Sequence, residues 1–317
     1  MTGKRGLVAA ALLVLVFSAC GKGSSATPPP ATNGPINMTP VASHVKLLKA
    51  GSGPRQLLRL QLVKGSVFDT SITLHLSIGF SIAGNTLPSR SVPAFTMGMR
   101  TVVSDVTPTA STIDFTFTRV DVEQSGDPKV VSAMQEAGKK FIGVHARVVI
   151  DASGAVTSTG LESGGLTGTD AQQIAASFKE QSSTLSIAFP TQPVGPGARW
   201  STTSPTDVQG LRGTETVTFV LQEISGSVVH LSIIDNEVVP RQGFALPGLP
   251  KGASVIASRS TISSGGIIET DLKQPMPSTL DEVGGGTVIM VLRQGTQQQR
   301  MLMRVTQGFK ISSKKTS

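Results

Sequence analysis

Two pairs of carboxylates are spaced for cation binding. Asp121 and Glu123 stand two residues apart, and so do Asp235 and Glu237. Residues two apart on a β-strand face the same side, and carboxylate oxygens are ligands that calcium prefers. If the chain consists of two related halves, the four carboxylates could meet at one site. Charges at strand edges also keep sheets from pairing with one another, and a solvated strand edge is the favoured interpretation of both pairs.

Four histidines carry further potential for chemistry. His75, His145 and His230 fall in stretches with a strand-like pattern, and His44 lies at the end of a linker-like region. Three imidazoles could converge on a metal ion or form part of a hydrolase site built from distant residues. Ordinary surface or core histidines are the favoured interpretation. We therefore predict no enzyme activity, no metal and no cofactor.

Established catalytic motifs are missing from the sequence. It contains no nucleophile elbow, zinc-protease helix, phosphate loop or dinucleotide fingerprint. Ser43 and Lys46 have the Ser-x-x-Lys spacing of penicillin-binding enzymes, but the Ser-Asp-Asn and Lys-Thr-Gly partners of that motif are lacking. The spacing is therefore interpreted as chance.

Apolar residues offer a different kind of site. Trp200 could line a ligand pocket, although a single tryptophan at the start of a strand is more often a core residue. Residues 243–250 are apolar and rich in Gly and Pro, without helix or strand periodicity. We predict a loop there whose Phe244, Leu246 and Leu249 close over a hydrophobic cavity or touch a membrane.

The elements that would position these residues are mostly β-strands. Apolar and polar residues alternate with a period of two, which is typical of half-buried antiparallel strands. The clearest runs are residues 58–62, 72–78, 113–117 and 216–221. Turn-forming residues lie at 64–65, 83–85, 152–154, 225–227 and 264–266, while residues 241–254 are predicted to form a loop.

Two amphipathic helices are predicted among the strands. Asp127 can cap a helix that begins at Pro128, and residues 169–172 have the spacing of a capping box that opens a second helix. The apolar faces consist of Val130, Met134, Ala137 and Phe141 in the first helix and of Ile174, Phe178 and Leu185 in the second. Both helices are expected to pack on one face of the sheet.

Two internal similarities suggest a tandem duplication. Residues 115–123 resemble residues 229–237, and residues 150–157 resemble residues 262–269, at nearly the same offset. The predicted fold is therefore mainly β, a β-rich α+β class. It consists of a large curved antiparallel sheet from two related halves, with the two helices packed on it.

The first twenty residues have the order of a secretory signal. Lys4 and Arg5 precede an apolar run from Leu7 to Phe17, which is shorter than the ~20 residues that a helix needs to cross a bilayer. Small residues then flank Cys20, the single cysteine of the chain. This arrangement resembles the lipobox of bacterial lipoproteins, except that Phe17 stands where the lipobox prefers Leu, Val or Ile.

The lipobox resemblance implies how the chain is divided. Residues 1–19 are expected to be removed as a signal peptide, and Cys20 to carry the lipid that anchors an exported protein. Residues 20–43, rich in Pro, Ser and Thr, are expected to form an extended tether. The body would span residues 44–312, with halves of about 45–185 and 186–312, followed by a basic tail at 313–317. The implied location is the cell membrane or outer membrane, facing the periplasm or the cell exterior.

Composition excludes several classes of protein. A single cysteine rules out a disulfide framework and a cysteine-based zinc site. The formal charge of +8 is spread thinly, and the chain has one Trp and no Tyr. A nucleic-acid reader concentrates basic residues on one face and interleaves aromatic ones. We therefore predict no nucleic-acid partner.

Two short segments resemble a family of uncharacterised bacterial lipoproteins. These are residues 189–200, with a Pro-Val-Gly step that leads to Trp200, and residues 60–68, with a Lys-Gly step followed by an aromatic residue. The family has no agreed activity. At the level of fold, the pattern also looks like envelope lipid carriers that curve an antiparallel sheet around helices and hold acyl chains in the hollow.

Three functional hypotheses follow. The first is a non-catalytic, membrane-anchored lipoprotein that binds a hydrophobic ligand such as an acyl chain. The second is a structural or interaction protein with a filled core, whose surface meets an envelope protein or polymer. The third is a hydrolase whose site is not visible in the sequence. The space between sheet and helices, empty or packed, separates the first two.

Overall fold

The computed structural model describes residues 36–38, 44–82, 85–86, 90–162, 178, 186–208, 211–244, 253–294 and 296–317. Within them the chain forms one antiparallel sheet and one helix. The N-terminal elements are β1 (Ile36–Met38), β2 (His44–Lys49), β3 (Val67–Ile82), β4 (Asn85–Thr86), β5 (Arg90–Val106), β6 (Ala110–Val122), α1 (Pro128–Lys139), β7 (His145–Asp151) and β8 (Val156–Glu162). The C-terminal elements are β9 (Arg199–Val208), β10 (Leu211–Ser225), β11 (Val228–Val239), β12 (Gln242–Phe244), β13 (Ala253–Ala257), β14 (Ser260–Asp271), β15 (Thr279–Gln294) and β16 (Gln297–Lys315).

The sheet consists of two meanders joined by β3. Strands β5 to β8 form one meander, and β9, β10, β11, β14, β15 and β16 form the other. β3 pairs with β5 on one side and with β16 on the other. The strand order is β1-β8-β7-β6-β5-β3-β16-β15-β14-β11-β10-β9-β2, with β4 beside β3 and a β12-β13 ribbon beside β15. The predicted mainly β fold is confirmed.

The short chain between β1 and β2 requires the sheet to curve. β1 lies at one edge of the thirteen-strand path and β2 at the other. A flat path of that width would measure about 58 Å, since neighbouring strands lie about 4.8 Å apart. The six peptide steps from Met38 to His44 reach about 21 Å at most. The two edges must therefore approach each other, which agrees with the predicted curvature.

A non-strand stretch, residues 50–66, crosses one end of the sheet and is called the crossing segment below. Gln56 bridges to Val194, the Leu60 amide donates to the Ala152 carbonyl at 3.0 Å, and the Gln61 amide donates to the Leu272 carbonyl at 2.7 Å. These partners belong to different parts of the sheet. The crossing segment thus ties the two meanders together at this end.

One continuous apolar core fills the concave side of the sheet. It takes every second residue of the long strands, including Leu74 of β3, Phe115 of β6 and Leu231 of β11. Leu58 from the crossing segment and Met134 from α1 are buried in the same cluster. A second, smaller cluster around β13 and β15 contains Val255, Ala257, Ile262, Val288 and Met290.

The predicted first helix is confirmed as α1. The Asp127 carboxylate accepts a hydrogen bond from the Lys129 amide at 2.9 Å and caps the helix, with Pro128 in its first turn. Met134 and Ala137 are buried as expected, while Val131 is more deeply buried than the predicted Val130. No helix in the described ranges is both long enough and apolar enough to span a bilayer.

The predicted second helix lies outside the described residues except for Phe178. That side chain is buried in the main core, as the predicted apolar face requires. The signal peptide, Cys20 and most of the tether are likewise outside the described ranges.

Two local predictions are wrong, and both errors have a physical cause. Residues 58–62 alternate like a strand, but they cross the ends of strands and have no parallel or antiparallel neighbour to pair with along their length. Residues 264–266 lie within β14 instead of forming a turn. A side chain at Gly266 would collide with the Asp281 carbonyl of β15, so this glycine permits close strand approach.

Other predicted boundaries also shift. Residues 241–254 were expected to form a loop, yet β12 and β13 occupy both ends and pair with each other. Ile36–Met38, within the expected tether, pairs with β8 as β1. The expected basic tail continues β16 as far as Lys315 and pairs with β3.

The described strands do not show the predicted tandem duplication. Residues 150–157 form the turn between β7 and β8, whereas residues 262–269 lie inside the single strand β14. The sequence similarity between residues 150–157 and residues 262–269 therefore relates two segments with different local structures.

A glycine-to-alanine pair tests how tightly this end of the sheet is closed. Gly154 has a φ of 86° and a side chain there would meet the Ile187 carbonyl, whereas Gly126 has a φ of 82° and open space around it. Both alanines incur the left-handed strain of about 1–2 kcal/mol. Gly154→Ala should lower the free energy of unfolding by at least ~1 kcal/mol more than Gly126→Ala, because overpacking adds to the strain. Urea unfolding followed by Trp200 fluorescence measures both, and equal losses would contradict the close contact.

Candidate functional site

Four carboxyl groups meet on the concave face of the second meander. Glu215 of β10 stands directly across from Glu237 of β11, and Asp235 of β11 stands across from Ser264 of β14. The Ser264 hydroxyl donates to the carboxylate of Glu282 on β15. We call Glu215, Asp235, Glu237 and Glu282 the acid cluster.

Strand alternation places these acids inside the protein. Leu231 and Ile233 of β11 are buried in the core, and Asp235 and Glu237 continue the same face toward the middle of the sheet. Asp235 is 0% exposed and Glu237 is 5% exposed. The expectation of a solvated strand edge is therefore wrong for this pair.

The hydrogen bonds of the cluster are unevenly distributed. The Thr206 hydroxyl donates to Glu237 at 2.6 Å, and Ser264 donates to Glu282. Neither carboxyl oxygen of Asp235 has a hydrogen-bond partner of regular geometry among the described residues, and the neighbouring Asn236 amide makes only the smallest contribution, a lowering, to the pKa of this carboxyl. An unsatisfied buried acceptor loses its hydration without compensation, at a cost of about 1–3 kcal/mol or more when it is charged. Burial of Asp235 therefore destabilises the fold more than burial of any other member of the acid cluster.

Burial raises the pKa of all four acids. It raises the pKa of Glu215 to about 8, with smaller contributions from the charges of Glu237 and Glu282. Burial also raises the pKa of Asp235 well above its usual range, and the three neighbouring carboxylates add to the rise. The pKa values of Glu237 and Glu282 rise through burial and are partly offset by their hydroxyl donors. The cluster therefore retains protons at pH values where ordinary carboxyls are ionised.

A cavity of about 70 Å³ lies beside the acid cluster. Three of the acids, Glu215, Asp235 and Glu282, line one part of its wall. The remaining wall is largely apolar and includes Val217, Phe219, Ile233, Ile268, Leu280 and Phe309. Glu215 is surrounded mostly by protein but keeps some accessible surface.

The geometry limits the chemistry of this site. Within the described ranges, no group of three or more acidic, histidine or cysteine side chains is arranged to hold a metal ion. The described wall consists of carboxyl groups, hydroxyls and apolar side chains. Such a wall can accept hydrogen bonds, hold protons and pair with a cation.

The predicted four-carboxylate calcium site is not assembled. Asp121 pairs with Arg119 at 2.8 Å and its side chain is 59% exposed, while Glu123 is exposed and accepts a hydrogen bond from the Ala94 amide at 3.3 Å. Asp235 and Glu237 lie in the interior of the other meander. Asp121 and Glu123 thus fit the solvated edge that was the favoured interpretation.

Trp200 is a core residue, which was the favoured interpretation, and it is not among the residues that line the cavity beside the acid cluster. Its ring is fully buried and stacks on Phe219 with centroids 5.3 Å apart. Its Nε1 donates to the Ala188 carbonyl at 3.1 Å. Phe219 lines the cavity beside the acid cluster, so Trp200 supports one residue of the cavity wall.

The predicted apolar lid is only partly described. Phe244 lies at the end of β12 and pairs with Val255 of β13, so it belongs to a strand and not to a loop. Leu246 and Leu249 lie outside the described residues.

The histidines do not converge. His145 on β7 and His75 on β3 are separated by two strands, and His75 and His230 on β11 by three, which places each pair at least ~14 Å apart across the sheet. His145 shares a hydrogen bond with Thr116 at 3.0 Å, and His230 lies 3.8 Å from Glu269. The alternative of a metal or hydrolase triad built from these three imidazoles is therefore not formed.

Glu215 and Glu282 are the members of the acid cluster that the sequence predictions missed. Glu215 precedes Val217 and Phe219 by steps of two, so extending the strand predicted at 216–221 by one residue would have placed it on the apolar face. On β15, Glu282 likewise stands two residues from an apolar residue of the same face, Leu280. An acidic residue in phase with a run of core residues was the available signal.

Comparisons with known proteins give little guidance. No family model matches the sequence, and no curated protein matches it. Among solved structures, the chain is similar to a TodX deltaS2S3 mutant monoaromatic hydrocarbon channel, with 10% identity and a TM-score of 0.20, over 79% of this chain and 91% of that chain. A TM-score this low does not establish a shared fold.

The acid cluster should make the protein less stable as pH rises. The folded pKa of Glu215 is about 8 against an ordinary value of 4.5, so its protonated form stabilises the fold fully below pH 4.5. This contribution is lost as pH rises toward and through 8. Glu215→Gln keeps the shape of the side chain but removes its titratable carboxyl group. This variant should therefore show a smaller fall in melting temperature between pH 5 and 8.

Thermal unfolding by circular dichroism at pH 5, 6.5 and 8 measures this effect, with exposed Glu123→Gln as the matched control. Each kcal/mol lost should lower the melting temperature by about 2–4 °C. A wild-type protein that is as stable at pH 8 as at pH 5 would contradict the burial of these acids.

Proposed function

We propose that the protein is a membrane-anchored extracytoplasmic lipoprotein that holds a hydrophobic ligand on the concave face of its sheet. The proposal has two independent parts. The anchor is supported by the sequence, and the ligand site by the burial pattern of β3, β5 and β16.

The anchor is supported by the order of the N-terminal residues. A basic start, a short apolar run and a small-residue step at Cys20 are typical of exported lipoproteins. The first described strand begins at Ile36, which leaves residues 20–35 as a spacer between the lipid and the sheet.

The ligand site is supported by an incompletely covered apolar surface at the end of the sheet opposite the crossing segment. Ile78 of β3, Val92 of β5 and Met303 of β16 are only partly buried, although they continue the main core. Phe80, which pairs with Met303, is 37% exposed. We call these four residues the apolar rim. An exposed apolar surface that continues the core is a common feature of ligand and interaction sites.

The cavity beside the acid cluster is too small for an acyl chain. Its volume is about 70 Å³, whereas a cavity of about 150 Å³ is needed to hold a molecule such as benzene. A larger pocket, of about 490 Å³, lies beside β6, β7 and β8, and its lining includes the charged residues Asp114, Arg147 and Glu162. An acyl ligand would therefore bind at the apolar rim, and the deeper cavity would remain separate.

A second function, contact with another envelope component, is favoured by a different surface. Ile234, Ile267 and Val283 are 52%, 67% and 45% exposed on the convex side of neighbouring strands β11, β14 and β15. Ile234 and Val283 both stand across from Gly265, so the aliphatic side chains surround a position without a side chain. This is the alternative if no ligand binds at the apolar rim.

The anchor is tested by Cys20→Ser. The wild-type protein should fractionate with membranes and carry an added acyl mass at residue 20, because the thiol is the site of lipidation. Cys20→Ser should leave the membrane fraction and lack that mass. Immunoblotting of cell fractions and intact-mass spectrometry provide the two measurements. A serine variant that stays membrane-bound with an unchanged mass would reject the lipid anchor.

The ligand site is tested by Phe80→Asp, with Ile234→Asp on the convex side as the matched control. Native mass spectrometry of the body, produced from residue 21 onward, should show a bound lipid in the wild type. Burying an aromatic side chain stabilises a complex by ~1.5–3 kcal/mol. Phe80→Asp should therefore weaken binding of a fluorescent fatty acid by tenfold or more, and Ile234→Asp by less than twofold. Absence of bound lipid and of fatty-acid binding in the wild type would favour the second function.

A further inference from the structure

Among the residues that the structure describes, the acid cluster has no cationic partner. The charges that shift the pKa values of Glu215 and Asp235 are those of the other acids. The ion pairs found in the described ranges involve none of the four carboxyls. Four acids of like charge in a buried setting must hold protons or receive a positive charge from outside.

Asp235 shows where that charge would be received. It is fully buried, neither of its oxygens has a hydrogen-bond partner of regular geometry among the described residues, and it lines the cavity. Glu237 and Glu282 have hydroxyl donors from neighbouring strands. Because Asp235 lines the cavity, a strong donor for it can come from there, and the cavity has room for a few water molecules or one small organic group.

The rest of the cavity wall favours an organic cation over a metal ion. Calcium takes six to eight oxygen ligands, and the described residues contain no group of three acidic, histidine or cysteine side chains arranged around one ion. The cavity wall also includes Phe219, Phe309 and Leu280. Aromatic rings attract ammonium groups, and aliphatic side chains pack against the carbon atoms that such groups carry.

We propose that the acid cluster and its cavity form a binding site for a small protonated organic amine, with Asp235 pairing the ammonium group. Glu215 lines the same cavity and adds a second acceptor. The apolar wall contacts the alkyl part of the amine. This site is separate from the apolar rim and does not depend on a lipid ligand.

The raised pKa values add a measurable consequence. Burial keeps protons on the acid cluster near neutral pH, so an ammonium ion that pairs with Asp235 displaces a proton. Binding should therefore release protons at pH 7 and become tighter as pH rises toward 8, provided that the amine itself stays protonated. Ethylamine meets this condition because the pKa of its ammonium form lies near that of lysine, about 10.4.

The test is a titration of the full-length protein in non-ionic detergent with ethylammonium chloride, by calorimetry in two buffers of different ionisation enthalpy. Sodium chloride controls for ionic strength, and ethanol serves as an uncharged probe of similar size. The wild type should bind ethylammonium with proton release and should not bind ethanol. Asp235→Asn should weaken binding at least tenfold, and the surface variant Asp121→Asn should change it less than twofold.

Thermal unfolding checks that the variants are folded. Asp235→Asn should be at least as stable as the wild type, because it removes a buried carboxylate that lacks a partner. Glu282→Gln provides a second variant of the cavity wall, with the same expected loss of affinity, if Asp235→Asn does not fold. Binding of calcium without binding of ethylammonium would overturn the proposal. So would wild-type affinity in Asp235→Asn, or a wild-type protein in which only protons titrate and no ethylammonium binds.

Discussion

Alternation of side chains along a single antiparallel sheet is the constraint on which the rest of the molecule depends. Successive residues of a strand point to opposite faces, and one face here is buried along most of its length. The apolar residues of β11, such as Leu231 and Ile233, supply the hydrophobic driving force. Asp235 and Glu237 follow in the same phase and are therefore buried too, regardless of their polarity. A slip of one residue would expose the acids but also the whole apolar face.

The buried apolar side chains stabilise the fold, and the buried acids destabilise it to different extents. Full burial of one large apolar side chain stabilises the fold by ~1.5–3 kcal/mol, which is comparable to the cost of one unsatisfied buried polar group. A few residues such as Trp200 and Phe189 can therefore offset Asp235. The hydroxyls of Thr206 and Ser264 reduce the cost of Glu237 and Glu282. Asp235 has no hydroxyl donor of this kind among the described residues, and residues that violate local rules in this way are candidates for function.

Closure of the sheet depends on chain segments that are not themselves strands. The crossing segment links the Ala152 turn, the Leu272 turn and the Val194 region, which belong to different meanders. β1 and β2 form the two opposite edges of the strand order, although only a short stretch of chain lies between them. The concave face is consequently well packed near the crossing segment, whereas the apolar rim at the other end is less covered. The two ends of the sheet therefore differ in what they can bind.

Much of the fold was predictable from local patterns. The strands at 72–78, 113–117 and 216–221, the turns at Gly65, Gly154 and Gly226, and the Asp127 cap are confirmed, because alternation, positive φ and capping depend on residues close in sequence. The predicted strand at 58–62 and the predicted turn at 264–266 failed because their conformations depend on distant neighbours. For Gly266 the neighbour is the β15 backbone, and for residues 58–62 it is the set of turns that they cross.

The sequence by itself determined the mainly β class, the first helix and the prediction of a lipid anchor at Cys20, since each follows from a local periodicity or motif. It also placed Asp235 and Glu237 on one face of a strand. Only the tertiary structure decided that this face is the interior and that Glu215 and Glu282 join them from other strands. The reason is that strand partners, and therefore the burial of a face, are set by pairing between segments far apart in the chain.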